Sequence, residues 1–185
     1  AAGKSRRFGT PKQIALLGGQ TMVAGVYDEC IESNLSAATL VLGGYKEQVL
    51  TQISQTSPYF IADDCAKGLG NSIANALCHI SDDIDAVYIM LADQPAVKHT
   101  HINKLIDSFE TNPQHIHCAS FSNTFGPPVI FPRRFFDELR HLSGDRGAKE
   151  LIRKHLSQTV QMPMDAALLD IDTQDDLKNY QSRPQ

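Results

Sequence analysis

The run Ala86-Val-Tyr-Ile-Met-Leu-Ala92 is apolar at every position and breaks into Asp93-Gln94-Pro95. A strand that turns apolar side chains to both sides must be covered on both, the pattern of a buried strand in an α/β sheet. It is also the longest apolar run in the chain, far short of the ~20 residues a membrane-spanning helix requires. Its end sets a carboxylate at the carboxyl edge of a strand, where open α/β sheets bind their ligands.

Helix and strand patterns alternate on either side of this run. Met22, Val23, Val26, Tyr27, Cys30 and Ile31 fall at helical spacing, and Ala38–Leu42 reads as a short strand ending in two glycines. Tyr59–Ala62 reads as another strand. Asn71 or Ser72 can cap a helix that carries Ile73, Leu77 and Ile80 on one face, and Thr100 can cap one carrying Ile102, Leu105, Ile106 and Phe109. Strands are expected at His115–Phe121 and Pro128–Phe131, with short ones at Val160–Met162 and Leu168–Ile171. Helices are expected at Phe135–Leu142, Ala148–His155 and Asp175–Gln181. Such alternation predicts one α/β domain over 1–185, an open and mostly parallel sheet with helices on both faces. Ala1-Ala-Gly3 reads as a strand-to-loop junction, so a first strand is expected to precede residue 1.

The 185 residues are 42% hydrophobic and 21% charged, an ordinary globular composition. Lys4, Arg6, Arg7 and Lys12 precede the first acidic residue, Asp28, whereas the chain as a whole carries a net charge of −4. A cationic opening on an acidic chain points to a local anion site and away from nucleic acid, which would need a broad basic face. Cys30, Cys65, Cys78 and Cys118 are scattered, without the close pairs of a zinc site, which suits a reduced, cytoplasmic chain with inert thiols. His115 and His117 share a strand face; a surface or hydrogen-bonded pair is expected over a chelating one.

The opening Ala1-Ala-Gly-Lys-Ser-Arg-Arg-Phe-Gly9, followed by Pro11-Lys12, has the makings of a phosphate loop. Gly3 and Gly9 allow unusual backbone angles, Ala1 and Ala2 let a ligand near the main chain, and Arg7 and Lys12 supply charge. A solvated basic terminus is the plainer reading of the same residues. Gly3-Lys4-Ser5 also matches the tail of the ATPase loop, but that motif opens a long helix, and Gly9-Thr-Pro11 would interrupt one.

Asp93 is a hard oxygen ligand suited to Mg²⁺, or else a cap for the turn after it. Near the other end, Asp170 and Asp172 share a face of an extended segment, and Asp172 or Thr173 can cap the helix that follows. Asp175 and Asp176 sit in its first turn, where negative charge suits the helix dipole. Of these acids, Asp172 is the candidate second metal ligand.

These motifs, in this order, resemble the molybdenum cofactor cytidylyltransferases, a branch of the MobA-like nucleotidyltransferases. The family opening L-A-A-G-x-S-x-R-M-G with P-K is matched by Ala1, Ala2, Gly3, Ser5, Arg7, Gly9, Pro11 and Lys12, with Phe8 in place of the usual Met. G-M-G-x-S resembles Gly68-Leu-Gly70-Asn-Ser72, and D-Q-P is Asp93-Gln94-Pro95. G-x-P is Gly126-Pro127-Pro128, with Pro127 where a polar residue is common. G-D-x-G-A is Gly144–Ala148, and D-I-D-T-x-x-D-L is Asp170–Leu177.

The resemblance implies a Rossmann-like nucleotidyltransferase domain that joins CTP to molybdopterin and releases pyrophosphate with Mg²⁺. It implies phosphate contacts from Ala1, Ala2, Gly3, Ser5 and Gly9, and catalytic charge from Arg7, Lys12 and Asp93. Mg²⁺ would fall to Asp93 and Asp172, and base and ribose contacts to Gly68, Gly70 and Ser72. Gly126, Pro128, Asp145 and Gly147 would border the acceptor. CTP and the pterin cofactor are the implied partners, with a recipient molybdoenzyme downstream and neither nucleic acid nor membrane involved. A guanylyltransferase, a transferase for another phosphorylated metabolite, and a non-catalytic cofactor chaperone are the alternatives; Ala2 weighs against the guanylyl branch, which usually has Gly there.

Overall fold

The computed structural model of the chain describes residues 1–3, 5, 7–62 and 67–183. Lys4 and Arg6 of the basic opening, and Cys65, lie outside the described residues. A hairpin of β1 (Leu16–Leu17) and β2 (Gln20–Thr21) leads into α1 (Met22–Ile31). Next come β3 (Leu40–Leu42), α2 (Lys46–Leu50), β4 (Tyr59–Ile61), α3 (Leu69–Leu77) and β5 (Ala86–Ile89). The chain continues through α4 (His99–Thr111), β6 (Ile116–Phe121), β7 (Thr124–Pro132), α5 (Phe136–Arg140), α6 (Ala148–Lys154), β8 (Thr159–Pro163) and α7 (Gln174–Gln181). No helix among the described residues is long and apolar enough to cross a membrane.

β3 and β4 pair in parallel, and β5, β7, β6 and β8 form a four-stranded sheet in that order. The α/β class expected from the alternation is present, but strand direction is more mixed than expected. β7 runs antiparallel to both β5 and β6, while β6 and β8 are parallel. The cause is local. Ser122 and Asn123, at φ 43° and 59°, make a two-residue turn between Phe121 and Thr124. Two left-handed residues close a tight hairpin, and a connection that short cannot make the crossover a parallel pair needs.

The apolar run packs on both faces but is half-buried throughout, because β5 is an edge strand of the four-stranded sheet. Val87 and Ile89 of β5 pack with α3, α5 and α6 through Ile73, Phe136, Leu139 and Ile152. Tyr88 and Met90 pack on the opposite side with Ile102 of α4 and Ala167. The ladder ends at the Ile89–Val129 pair, three residues before Ala92. The next residues on the β7 side are Pro128 and Pro127, which have no N–H to donate.

Helix starts differ from expectation in the same local way. α4 begins at His99, and Thr100 does not cap it. Glu29 of α1 accepts from the His99 N–H (2.7 Å), and the His101 ring reaches back to the Lys98 N–H (3.0 Å). α3 starts at Leu69, two residues before Asn71, with Gly68 at the N-cap. Leu168–Ile171 is not a strand; it follows a 3₁₀ turn over Asp165–Leu168. Thr173 does cap α7, accepting from the Asp176 N–H.

Candidate active site

Packing brings the two ends of the chain together. Phe8 is buried with Met22 and Ile171 in a small apolar cluster. Arg7 and Asp172, one residue from each side of that contact, meet with Arg7 Nη2 2.7 Å from Asp172 Oδ2. Ile171 in turn donates its N–H to the Asp93 carbonyl (2.9 Å), which sets the acidic segment beside the end of β5. Lys12, at the start of a 3₁₀ turn over Lys12–Ile14, completes the set. Its Nζ lies 2.5 Å from Asp93 Oδ2 and 2.8 Å from Asp172 Oδ1. Arg7, Asp172, Lys12 and Asp93 thus form one continuous chain of ion pairs.

These four residues line a cleft of about 370 Å³ together with Ala1, Ala2, Gly3, Ser5 and Ser72. Nine of the residues expected from the sequence to serve the site are therefore in one place. The opening loop is held by its own side chains. Gln13, 2% exposed, donates from Nε2 to the carbonyls of Ala1 (3.1 Å) and Gly3 (2.8 Å). Ser5 donates to Gln13 Oε1 and accepts from the Lys12 N–H, both at 3.1 Å. The Ser5 hydroxyl is thereby engaged within the loop. Gly9 does not line the cleft; at φ +83° it closes the turn in which its N–H reaches the Ser5 carbonyl (3.2 Å). Among the described residues after Ser5 no long helix opens, as the ATPase-loop reading would require.

The remaining expected residues sit elsewhere. Gly68 and Gly70 press against the loop that holds Asp145 and Gly147. A Cβ on Gly68, at φ +121°, would lie 2.2 Å from the Gly144 carbonyl oxygen, and one on Gly70 2.4 Å from that of Arg146. The Gly70 N–H donates to Gly144 O (2.9 Å), and Asn71 Oδ1 accepts from the Gly144 N–H (2.7 Å). These glycines are small because main chain meets main chain there. Gly126 pairs with Ala119 inside the sheet, and Pro128 lies in β7. None of these six residues lines the cleft.

Electrostatics in the cleft are coupled. Burial works against the Lys12 ammonium, but Asp93 and Asp172 outweigh it and hold its pKa above the ordinary value. The Asp170 carboxyl is pushed up to about 6, first by desolvation and then by the charge on Asp93. Asp93 Oδ1 is buried and has no hydrogen-bond partner. A buried carboxylate oxygen without a donor is costly unless a cation completes it, so Asp93 and Asp172, converging on one ammonium, fit a hard divalent ion.

Other candidates are accounted for. His117 is buried, its Nε2–H donating to Asn112 O (3.1 Å) and its Nδ1 accepting from Ser108 (2.9 Å), so it has no lone pair left for chelation with His115. Burial pushes the Cys30 thiol up to about 11 and the Cys118 thiol to about 12, the behaviour of inert cysteines. Gln13 and Gln94 were missed by reading motifs for charge. Their signal was present: an uncharged amide within Asp93-Gln94-Pro95, and another directly after Pro11-Lys12, each suit a buried clamp.

Comparison with known proteins places the chain in a family. The model of the MobA-like NTP transferase domain matches residues 1–160. The purine catabolism protein PucB of Bacillus subtilis is 30% identical over 165 residues, which are 83% of this chain and 78% of PucB. The crystal structure of Rv0371c from Mycobacterium tuberculosis H37Rv superposes with a TM-score of 0.88 at 26% identity, covering 100% of this chain and 96% of that one. The same protein in complex with manganese gives 0.83 at 25% identity, covering 99% and 95%. On the match over residues 1–160, then, the chain belongs to the MobA-like NTP transferase family of nucleotidyltransferases.

Proposed function

We propose that the protein transfers CMP from CTP to the terminal phosphate of molybdopterin, with release of pyrophosphate. The observation that carries the reading is the Arg7–Asp172–Lys12–Asp93 network along one wall of the cleft. A phosphate oxygen of the acceptor attacks the α-phosphorus of CTP in line. The new P–O bond forms as the bond to the bridging oxygen of the β-phosphate breaks. An acceptor phosphate is already largely anionic near neutral pH, so the step needs no general base, and catalysis rests on positioning and charge.

Ala1, Ala2 and Gly3 offer main chain to the triphosphate, and Gln13 keeps that main chain in place. Lys12 and Arg7 exchange carboxylate partners for phosphate oxygens and take up the charge that develops on the leaving pyrophosphate. Asp93 and Asp172 would hold Mg²⁺, which when bound neutralises phosphate charge. The manganese complex of Rv0371c supports a divalent ion in this fold. CTP and the pterin are supported by the order of sequence motifs and by Ala2.

A second reading, transfer to another phosphorylated acceptor, is favoured by the placement of Gly126, Pro128, Asp145 and Gly147 outside the cleft. Pyrophosphate release with CTP, GTP, ATP and UTP, with and without molybdopterin, tests both. Release that requires CTP and molybdopterin together is expected. Equal turnover with GTP, or turnover only with a different phosphorylated acceptor, overturns the proposal.

A further inference from the structure

Gln94 follows Asp93 at the carboxyl edge of β5 and is 2% exposed. Its amide nitrogen donates to two carbonyls from distant parts of the chain, Pro127 of β7 (3.2 Å) and Ala167 of the 3₁₀ turn before the acidic segment (3.0 Å). Both acceptors are carbonyls, so only the N–H side of the amide can face them. The Asp93 carbonyl takes the Ile171 N–H at 2.9 Å. The segment leading to Asp172 is therefore pinned at Ala167 and Ile171, by two consecutive residues just beyond β5.

We infer that Gln94 is a positioning residue that sets the approach of Asp172 to Asp93, and so the geometry of the divalent-ion site. The inference rests on the nucleotidyl-transfer reading for its purpose, and on the hydrogen bonds for its content. The Gln94 amide reaches both carbonyls and also the Asp170 carboxyl, and the side chain is sealed from water. Without those donors, two buried carbonyls lose partners and the Ala167 end of the segment is released. Asp172 is five residues beyond Ala167. The Ile171–Asp93 hydrogen bond then holds the segment at one end only, and the ion pairs of Asp172 with Lys12 and Arg7 complete the restraint on its carboxylate. Partners that orient metal ligands in this indirect way typically affect metal affinity by about 10–100-fold.

The test is Mn²⁺ titration followed by electron paramagnetic resonance on the full chain, which needs no turnover. Wild type, Gln94→Met, Asp172→Ala and the double variant are compared, with circular dichroism to verify folding. Gln94→Met is expected to weaken Mn²⁺ binding about tenfold and to lower kcat while leaving KM for CTP little changed. In the Asp172→Ala background it is expected to add almost nothing. Wild-type Mn²⁺ affinity in Gln94→Met, or a full additive loss on Asp172→Ala, overturns the inference. If Gln94→Met does not fold, Gln94→Asn, one methylene shorter, draws the amide back from both carbonyls and is expected to weaken Mn²⁺ binding in the same titration; collapse of both variants assigns Gln94 to stability alone and also overturns it. Failure of the transferase reading shows separately, as a wild-type protein that releases no pyrophosphate from any nucleotide.

Discussion

Lys12 and Asp93, 81 positions apart in sequence, meet as a partly buried ion pair, and Asp172 shares the same ammonium. A lysine thus stands between two carboxylates that suit a metal ion. In the proposed reaction, the ammonium that neutralises the site in the free protein and the divalent ion would draw on the same two carboxylates. On that proposal, nucleotide phosphates that attract Lys12 would free both carboxylates for the metal.

Lys12→Met separates these roles. Transfer is expected to lose about 2–4 kcal/mol in kcat/KM, the scale of a preorganised electrostatic contact. Without nucleotide, Mn²⁺ is expected to bind the variant more tightly than wild type and to raise its Tm by more. Unchanged Mn²⁺ affinity in a calorimetric titration would show that the ammonium and the metal do not compete.

Asp93→Ala removes the carboxylate whose Oδ1 is buried without a partner. A folded protein that has lost at least about a hundredfold in turnover is expected, in line with the removal of one preorganised charge. Metal-dependent pyrophosphate release is the measurement, and full activity would take Asp93 out of the mechanism.

Gly70→Ala drives a methyl group to within 2.4 Å of the Arg146 carbonyl oxygen and 2.9 Å of the Ser143 nitrogen, both main-chain atoms with little room to give. Overpacking of this kind costs about 1–3 kcal/mol or more. In a chain of this length that is a fall of roughly 2–4 °C in Tm per kcal/mol, readable by calorimetry. Gly3→Ala, with nothing near the added methyl, is expected to leave Tm unchanged.

His117 makes stability depend on pH. Burial, with a smaller push from His115, lowers its pKa below 6.5 in the folded protein, while the bond to Asn112 works the other way. The unfolded chain therefore binds the extra proton first. The contribution is complete above about 6.5 and is lost as pH falls through and below that value. Thermal melts between pH 5 and 7.5 should show a slope that His117→Gln flattens. A variant with the wild-type slope would place the titration elsewhere.

The sequence made the site more legible than the sheet. Asp93, Lys12, Arg7 and Asp172 stood out because charge placed at loop ends has few structural uses, and the fold brings all four to one wall. The direction of β7 was not legible in its apolar pattern, which is the same for either direction; Ser122-Asn123 held the answer as a turn signal. α2 went unread because five residues give too little periodicity to register. Gly68 and Gly70 were expected, from the resemblance, to contact base and ribose; in the structure they pack against the neighbouring loop. A motif glycine announces close approach and is silent about what approaches.

That backbone interlock carries a consequence for redesign. The Gly68–Gly70 and Gly144–Gly147 stretches fit each other as a key fits its ward, so neither can be transplanted from a relative by itself. An engineer who swaps one to change substrate preference must bring its counterpart along, or accept a protein whose two halves no longer mate.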